Sequence, residues 1–271
     1  MYATDFEYDG QRLSDYRCMI CDFEDKSGTS FVNTNSPISF NKISKDYGKK
    51  FILGSSQFDE CLTATFDICK DPDKNTNMYF THEECRDIVR WLNRHEFLPF
   101  RIIYNGEYDG FYFFNASFNL EKIKIAEKIC GLRLIMETDS PYAYGSIYEK
   151  IINIIDENAT SQKYIITNVS DEIGELCPYI KLELYSDGDL EIKNETLNEA
   201  TIIKNCVCGE VIVIDGDTLQ VSSSLERNIY DSFNFLFPKL NRTISNQSNI
   251  FSFSLPCKIY LSYYPIIKDT F

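Results

Sequence analysis

The segment IKLELYSDGDLEI, residues 180–192, contains the pattern that decides the fold. Apolar residues at positions 180, 182 and 184 alternate with Lys181 and Glu183, the period of two that is typical of a half-buried β-strand. A second apolar run follows after Asp187 and Gly188. An Asp-Gly pair between two such runs is a strong signal for a β-hairpin. The segment therefore predicts two antiparallel strands joined by a tight turn.

The same turn signal occurs at two other places in the chain. An apolar run at residues 211–214 meets Asp215-Gly216-Asp217 and returns through residues 219–221. Near the amino terminus, Asp9 and Gly10 separate two short strand-like runs, at residues 6–8 and 13–16. Regular short strands with turns of this kind predict a β-sandwich for the second half of the chain.

One helix is predicted between the strands of the first half. Thr81 is a suitable N-cap, and Glu84 stands three residues later to complete a capping box. The apolar stripe of this helix has the spacing i, i+3, i+4 and i+7 and consists of Cys85, Ile88, Val89 and Leu92. Trp91, the only tryptophan, lies on the same helix, and we expect it to make a domain or subunit contact.

Further strand-like runs lie at residues 62–68, 101–104, 111–114 and 132–136. A polar and mildly helical connection at residues 146–163, which includes Asp156-Glu157-Asn158, follows the aromatic turn at residues 139–145. We place the domain boundary in this connection. The sequence thus predicts a mainly β fold with one short amphipathic helix, in two domains at residues 1–145 and 146–271.

Composition excludes several classes of protein. The 271 residues are 44 % hydrophobic and 14 % aromatic, which is enough to build packed cores. The net charge is −14 and the basic residues form no cluster, so we expect no specific nucleic-acid binding. No run of about 18 apolar residues is present, so we expect no membrane-spanning segment. No signal peptide is recognised, and the ten cysteines are therefore expected to be free thiols in a reducing cytoplasm.

Motifs that would carry chemistry are incomplete. The pairs Cys18/Cys21 and Cys206/Cys208 fall in different predicted domains, which argues against a four-ligand zinc site. The start of a calcium loop at residue 71 lacks the required Gly and Glu at its later positions. The two histidines, His82 and His95, are expected at the two ends of the helix as surface residues. We therefore predict no catalytic residue, no metal, no cofactor and no enzymatic activity.

Aromatic residues are the remaining candidates for function. Tyrosines at positions 142, 144, 260, 263 and 264 could form a surface that binds sugar or protein, although packing in the core is the favoured interpretation. The residues chosen as candidate interface positions are Trp91, Tyr142, Tyr144, Tyr263 and Tyr264.

Several segments, in order along the chain, resemble a known family. They are FEYDGQRLSDYRCMICDF at residues 6–23, TDSPYAYG at 138–145, FNFLFPKLNRTISNQSNIFSF at 233–253 and KIYLSYYPIIK at 258–268. These segments are similar to the opening strand pair, the Ser-Pro-Tyr-Ala segment and the two closing strands of the siphophage-type distal tail proteins.

The resemblance implies a structural subunit of a virion tail that is assembled in the cytoplasm of the bacterial host. A ring-forming first domain and a galectin-like second β-sandwich are implied, with six copies in a ring between the tail tube and the tail tip or baseplate. The implied partners are other copies of the chain, the tail tube protein, the tail-associated hub protein and, in some cases, a receptor-binding protein. Two alternatives from other classes are a carbohydrate-binding module of a tail tip that contributes to host-surface adhesion, and a glycoside or peptidoglycan hydrolase.

Overall fold

The chain folds into two compact units. The computed structural model describes residues 3–23, 38–43, 52–58, 60–104, 112–155 and 162–268. One unit comprises Met1–Gly145 with Ile267–Phe271, and the other comprises Ser146–Ile266. Both units consist mainly of β-strands, and the described residues contain one α-helix. The predicted fold class, mainly β with a single short helix, is confirmed.

The first unit is built around one large antiparallel sheet. Its strands are β1 (Ala3–Tyr8), β2 (Gln11–Arg12), β3 (Cys18–Cys21), β4 (Ile38–Ile43), β5 (Ile52–Phe58), β6 (Thr63–Lys70), β7 (Leu98–Tyr104), β8 (Tyr112–Ile125), β9 (Lys128–Thr138) and β10 (Ala143–Gly145). The main path of the sheet runs β2-β1-β7-β8-β9-β6-β3, and β10 pairs with β8. The strands β4 and β5 form a separate two-stranded sheet.

Helix α1 (His82–Leu92) covers one face of this sheet. Its start is as predicted: the Thr81 side chain accepts a hydrogen bond from the Glu84 amide, and the Glu84 carboxylate accepts one from the Thr81 amide. Partial desolvation raises the pKa of Glu84, but hydrogen bonds from Lys70 and Thr81 outweigh it, and the pKa lies below its ordinary value. The buried side of α1 consists of Cys85, Ile88, Trp91 and Leu92.

One local prediction for the first unit needs correction. Residues 13–16 were expected to be a strand, but Leu13–Tyr16 is a short 3-10 helix that ends at Arg17 in the left-handed conformation, with φ 54°. Asp15 accepts a hydrogen bond from the Arg12 amide and thereby favours the helical turn. The predicted strand at residues 111–114 is confirmed from Tyr112 onward, while residue 111 lies outside the described residues.

The second unit is a β-sandwich of two antiparallel sheets. Its strands are β11 (Tyr148–Ile154), β12 (Tyr164–Thr167), β13 (Gly174–Leu176), β14 (Tyr179–Leu184), β15 (Gly188–Asn194), β16 (Glu199–Cys206), β17 (Val211–Asp215), β18 (Gln220–Ser223), β19 (Leu240–Arg242), β20 (Ser248–Phe253) and β21 (Cys257–Tyr263). One sheet has the order β11-β21-β14-β17-β18 and the other has the order β12-β20-β15-β16, while β13 and β19 form a separate two-stranded sheet. A mainly aliphatic core draws residues from both sheets.

The hairpin predicted at residues 180–192 is wrong, although both of its strands exist. Strand β14 pairs with β17 and β21, whereas β15 pairs with β16 and β20. The Asp187-Gly188 turn therefore carries the chain from one sheet of the sandwich to the other, and Gly188 adopts φ 144° there. The apolar alternation indicates only that each strand has one buried face. Two strands that lie in opposite sheets of a sandwich meet this requirement as well as two paired strands do. The turn after β17 does form the predicted hairpin with β18.

The connection between the two units also differs from expectation. Residues 148–154 were predicted to be mildly helical, but they form β11, an edge strand that pairs with β21. Alternate side chains of β11 are buried, which is the period of a strand. The residues Asp156-Glu157-Asn158 lie outside the described residues. At the other end of the chain, β22 (Ile266–Ile267) pairs with β10, and Ile267 packs against the first-unit core rather than the second.

Candidate interaction surfaces

The β4–β5 hairpin of the first unit exposes apolar side chains. Ile38, Phe40 and Ile43 are 43 %, 52 % and 58 % exposed, respectively. Ile38 is the cross-strand neighbour of Phe58, and Phe40 is that of Ser56, so an apolar row lies on one face of the hairpin. In the described part of the chain, neither strand pairs with a third strand and none of these residues belongs to a core. An isolated pair of strands with an uncovered apolar face is only marginally stable in water.

Tyr142 and Tyr144, two of the candidate interface residues, lie beside this hairpin and beside β8. The Tyr142 ring meets the Phe58 ring edge-on, with 5.0 Å between the ring centroids. The Tyr144 hydroxyl donates a hydrogen bond to Asp139 at 3.2 Å, and its ring lies 5.5 Å from that of Phe113. Both tyrosines are half-buried. Tyr142 therefore connects the hairpin to the body of the first unit.

Trp91 does not lie at a surface, and its predicted role as an interface residue was wrong. Its side chain is 3 % exposed, and its ring stacks on Tyr16 at 4.6 Å and on Phe6 at 5.6 Å. The indole N–H donates a hydrogen bond to the Tyr8 carbonyl at 3.0 Å. Trp91 therefore packs inside the first-unit core, where its ring lies between Tyr16 and Phe6 and its polar N–H has a partner.

Tyr263 is likewise buried, whereas its neighbour Tyr264 is 48 % exposed. The Tyr263 hydroxyl donates to the Thr167 carbonyl at 2.6 Å and accepts from the Val169 amide at 3.0 Å. Burial raises the pKa of Tyr263 to about 12, and the Val169 hydrogen bond only partly opposes this. These two hydrogen bonds attach β21 to the end of β12 and to the segment that follows it. An interface or sugar-stacking role for Tyr263 was therefore wrong. A contact role for Tyr142, Tyr144 and Tyr264 stays a proposal.

A groove lies on the outer face of the five-stranded sheet of the second unit. It has a volume of about 430 Å³ and is lined by Ile151, Tyr179, Lys181, Glu183, Lys258 and Tyr260. We call this surface the sheet groove. The Tyr260 hydroxyl is hydrogen-bonded to Glu149, and the rings of Tyr179 and Tyr260 meet edge-on at 6.4 Å. Glu183 lies two residues from Lys181 on β14 and is the cross-strand neighbour of Lys258 on β21. The groove therefore combines an aromatic floor with charged side chains of both signs.

A second exposed surface of this unit is formed by Tyr230, Phe235 and Leu236, which we call the aromatic knob. Phe235 is 64 % exposed and Leu236 is 49 % exposed, and the Phe235 ring stacks on Tyr230 at 6.0 Å. The backbone of Phe235 adopts the left-handed conformation, with φ 59°. For a bulky residue this conformation costs about 1–3 kcal/mol and persists only when the surroundings impose it.

Asn234 imposes that conformation. Its side-chain amide donates to the Ala200 carbonyl at 2.9 Å, and its side-chain oxygen accepts from the amides of Ile202 at 3.0 Å and Leu236 at 3.3 Å. These bonds tie the loop to the edge strand β16. The loop is thus fixed in a strained form that presents an aromatic ring to solvent.

Ionisable groups inside the units are engaged in structural contacts. The fully buried Glu210 carboxylate accepts hydrogen bonds from Arg227, Ser223 and the Val207 amide. All ten cysteines are free thiols. A hydrogen bond between the thiols of Cys21 and Cys69 lowers the pKa of Cys69 and raises that of Cys21.

Within the described ranges, no group of three or more His, Cys, Asp or Glu side chains is placed to hold a metal ion. His82 and His95 are exposed at the two ends of α1.

In the described part of the chain, no helix is both long enough and apolar enough to span a membrane.

Comparison with known proteins gives two family matches and a structural match. A family model for a phage tail protein N-terminal domain matches residues 1–140, and one for a phage tail C-terminal domain matches residues 142–263. The crystal structure of SPP1 Dit, described as a paradigm of the hub adsorption apparatus in phages that infect Gram-positive bacteria, is similar in fold. The similarity has a TM-score of 0.65 at 11 % identity and covers 97 % of this chain and 99 % of that chain. No curated protein matches.

Proposed function

The chain belongs to the phage tail protein family, and from this premise we propose that it is a distal tail protein that forms a hexameric ring between the tail tube and the tail tip. In this role it is a structural hub without intrinsic chemistry. The first unit forms the ring and the second unit projects from it. The ring binds the tail tube protein on one side and the tail-associated hub protein on the other, and it is assembled in the cytoplasm of the bacterial host.

The exposed hairpin β4–β5 carries this proposal. A free subunit leaves the exposed side chains of Ile38 and Phe40 in contact with water, because neither residue belongs to a core. When the neighbouring subunit covers these side chains, apolar area is buried, and the two-stranded sheet gains the packing partner that it needs for stability. The likeness of the fold to SPP1 Dit, a hub protein, supports the same role.

Substitution of Phe40 by Ser tests the ring contact. Losing one buried Phe side chain weakens each contact by about 1.5–3 kcal/mol, which corresponds to a roughly ten- to hundredfold higher dissociation constant. We expect the purified wild-type chain to give hexamers by native mass spectrometry and ring-shaped particles by negative-stain microscopy. The Phe40→Ser variant should give smaller species at the same concentration.

Phe97→Ser is the matched control, since Phe97 is a first-unit phenylalanine of similar exposure, 45 %, outside the hairpin. It should leave the oligomer unchanged. A wild-type chain that stays monomeric at micromolar concentration, both alone and with the tail tube protein, would contradict the ring. Equal oligomerisation of wild type and Phe40→Ser would contradict the role of the hairpin.

A further inference from the structure

Cys21 and Cys69 are two thiols in contact on neighbouring strands of the large sheet in the first unit. Cys21 is the last residue of β3 and lies diagonally across from Cys69 of β6, whose direct neighbour is Met19. Cross-strand neighbours share a face of the sheet, as do residues two apart on one strand, so both thiols lie on the same face. A hydrogen bond joins them. Two adjacent sulfur atoms are the first requirement of a disulfide.

The face that carries this pair lies opposite the core with α1. Ile68, which precedes Cys69, is fully buried in that core, so the Cys69 side chain points to the other side of the sheet. Both cysteines are half-buried. The Phe23 ring lies beside them, in the space that is left open by Gly131, the cross-strand neighbour of Cys69. The pair is therefore partly covered by protein but within reach of a small oxidant.

The two thiols differ from each other and from Cys18, the third cysteine nearby. Cys18 is 2 % exposed, and its thiol donates a hydrogen bond to the Tyr16 carbonyl at 3.3 Å. Burial raises the pKa of Cys18 to about 12, which keeps it in the unreactive thiol form. Cys69 accepts a hydrogen bond from Cys21, and this bond lowers the pKa of Cys69. Because the thiolate is the nucleophile, Cys69 is the member of the pair that reacts first.

We propose that Cys21 and Cys69 form a disulfide when hydrogen peroxide reaches the chain outside a reducing cytoplasm. The Cys69 thiolate attacks one peroxide oxygen and the O–O bond breaks. Cys69 becomes a sulfenic acid, and the hydroxide that leaves takes up the proton released by the thiol. The Cys21 sulfur then attacks the Cys69 sulfur, the S–O bond breaks, and the hydroxyl leaves as water with the Cys21 proton. The two thiols lose two electrons, which reduce one peroxide to two waters.

This disulfide fastens the edge of the sheet from which the hairpin β4–β5 extends. Strand β3 is the last strand in the order of the sheet, and the segment from Cys21 to Cys69 contains β4 and β5. Closing this loop removes freedom from the unfolded chain and thereby stabilises the first unit. A chain that folds with free thiols in the cytoplasm gains the link in the released particle, a setting that rests on the proposed function.

Thiol mapping tests the link in the purified chain, with Cys208→Ser as the background because Cys208 is an exposed thiol that could join two copies. After peroxide treatment, alkylation in denaturant should modify two fewer cysteines than in the untreated chain. A digest should contain the Cys21 peptide joined to the Cys69 peptide, and dithiothreitol should separate them. Cys61→Ser is the matched control, since Cys61 is another half-buried cysteine of the first unit, and it should form the same link. Unchanged alkylation, or joins that favour other cysteines, would overturn the proposal.

Single variants test the order of the two steps. In Cys21→Ser the serine hydroxyl can still donate to the Cys69 sulfur, but the second step is blocked, so dimedone should trap a sulfenic acid at Cys69. In Cys69→Ser, labelling of Cys21 should be lower by about tenfold or more. Equal labelling of the two cysteines would refute the order.

Urea unfolding followed by Trp91 fluorescence measures the consequence. Trp91 lies in the first-unit core, so the oxidised chain should unfold at higher urea than the reduced chain. Peroxide should produce no such shift in Cys21→Ser. An oxidised chain with an equal or lower midpoint would refute the stabilising role.

The link and the ring can fail separately. Phe40→Ser should form the link as the wild type does, because Phe40 belongs to the hairpin and not to the pair. A hexamer without the link would refute the link and leave the ring, whereas a linked wild-type monomer would refute the ring alone. A link that forms only in Phe40→Ser would mean that the ring covers the pair, and would refute the link in the assembled particle.

Discussion

The two units use aromatic side chains in opposite ways. In the first unit, seven aromatic residues are buried together, namely Phe6, Tyr8, Phe80, Trp91, Phe100, Phe114 and Phe118. The core of the second unit is mainly aliphatic, and its rings at Tyr230 and Phe235 face solvent. In the first unit these rings pack around Trp91 of α1, whereas the space between the two sheets of the second unit is filled mainly by Ile and Leu side chains.

This comparison shows that aromatic content alone does not indicate an interaction surface. Trp91 and Tyr263 are both conspicuous in the sequence, yet one organises a core and the other fastens a strand. Phe235, an exposed aromatic residue of the second unit, is marked by its left-handed backbone rather than by its residue type. Substitutions can test whether the two units unfold independently. They can also test whether removal of a tyrosine hydroxyl changes the stability of the two units in opposite directions.

Trp91→Ala should have the largest effect and should act on the first unit only. The change removes two stacked ring contacts and the hydrogen bond to the Tyr8 carbonyl, and truncation of a core tryptophan costs about 3–5 kcal/mol. In urea unfolding followed by far-UV circular dichroism, we expect one of two transitions to move to lower denaturant and the other to stay in place. Equal shifts of both transitions would mean that the two units unfold as one body.

The sequence predicted the strands and the helix better than their connections. The capping box at Thr81 and Glu84 is a local signal, and the structure has it as predicted. The same Asp-Gly signal precedes β15 and β18, but only the second turn makes a hairpin, because both edges of β14 pair with other strands, β17 and β21, and leave none for β15. Such long-range competition is invisible in a window of a few residues.

The candidate surfaces could be predicted only in part. Tyr260 was among the tyrosines considered for a surface, and the structure places it in the sheet groove. Phe40 and Phe235 were missed. The isolation of β4–β5 depends on tertiary pairing, and the left-handed backbone of Phe235 depends on the bonds that Asn234 makes to β16. The local signal at Phe235 is an Asn within a run of apolar residues, which points to a turn.

Tyr263→Phe should have a moderate effect, confined to the second unit. The variant loses the hydrogen bonds to Thr167 and Val169, at a cost of about 1–2 kcal/mol. Trp91 is the only tryptophan, so its fluorescence reports the first unit and should show an unchanged transition, while the second transition by circular dichroism moves to lower urea. A shift in the fluorescence transition would contradict the assignment.

The pH dependence of the same variant sharpens this test. Burial raises the pKa of Tyr263 to about 12, whereas an unfolded tyrosine titrates near 10. The stability gained by keeping the hydroxyl neutral is present below about pH 10 and is lost as the pH rises toward 12. The second unit of Tyr263→Phe should therefore lose less stability than that of the wild type between pH 10 and 12.

Tyr8→Phe is the matched change in the first unit, and it should have the smallest effect with the opposite sign. The Tyr8 hydroxyl is buried and has no hydrogen-bond partner in the described part of the chain, and burial raises its pKa to about 12. A buried hydroxyl without a partner is destabilising, because its hydrogen bonds to water are lost and not replaced. Its removal should leave the Trp91 fluorescence transition unchanged or raise the free energy of unfolding by up to about 1 kcal/mol. The bond from Trp91 to the Tyr8 backbone is retained, so a clear destabilisation would show that the hydroxyl has a partner in solution and that the contrast with Tyr263 is false.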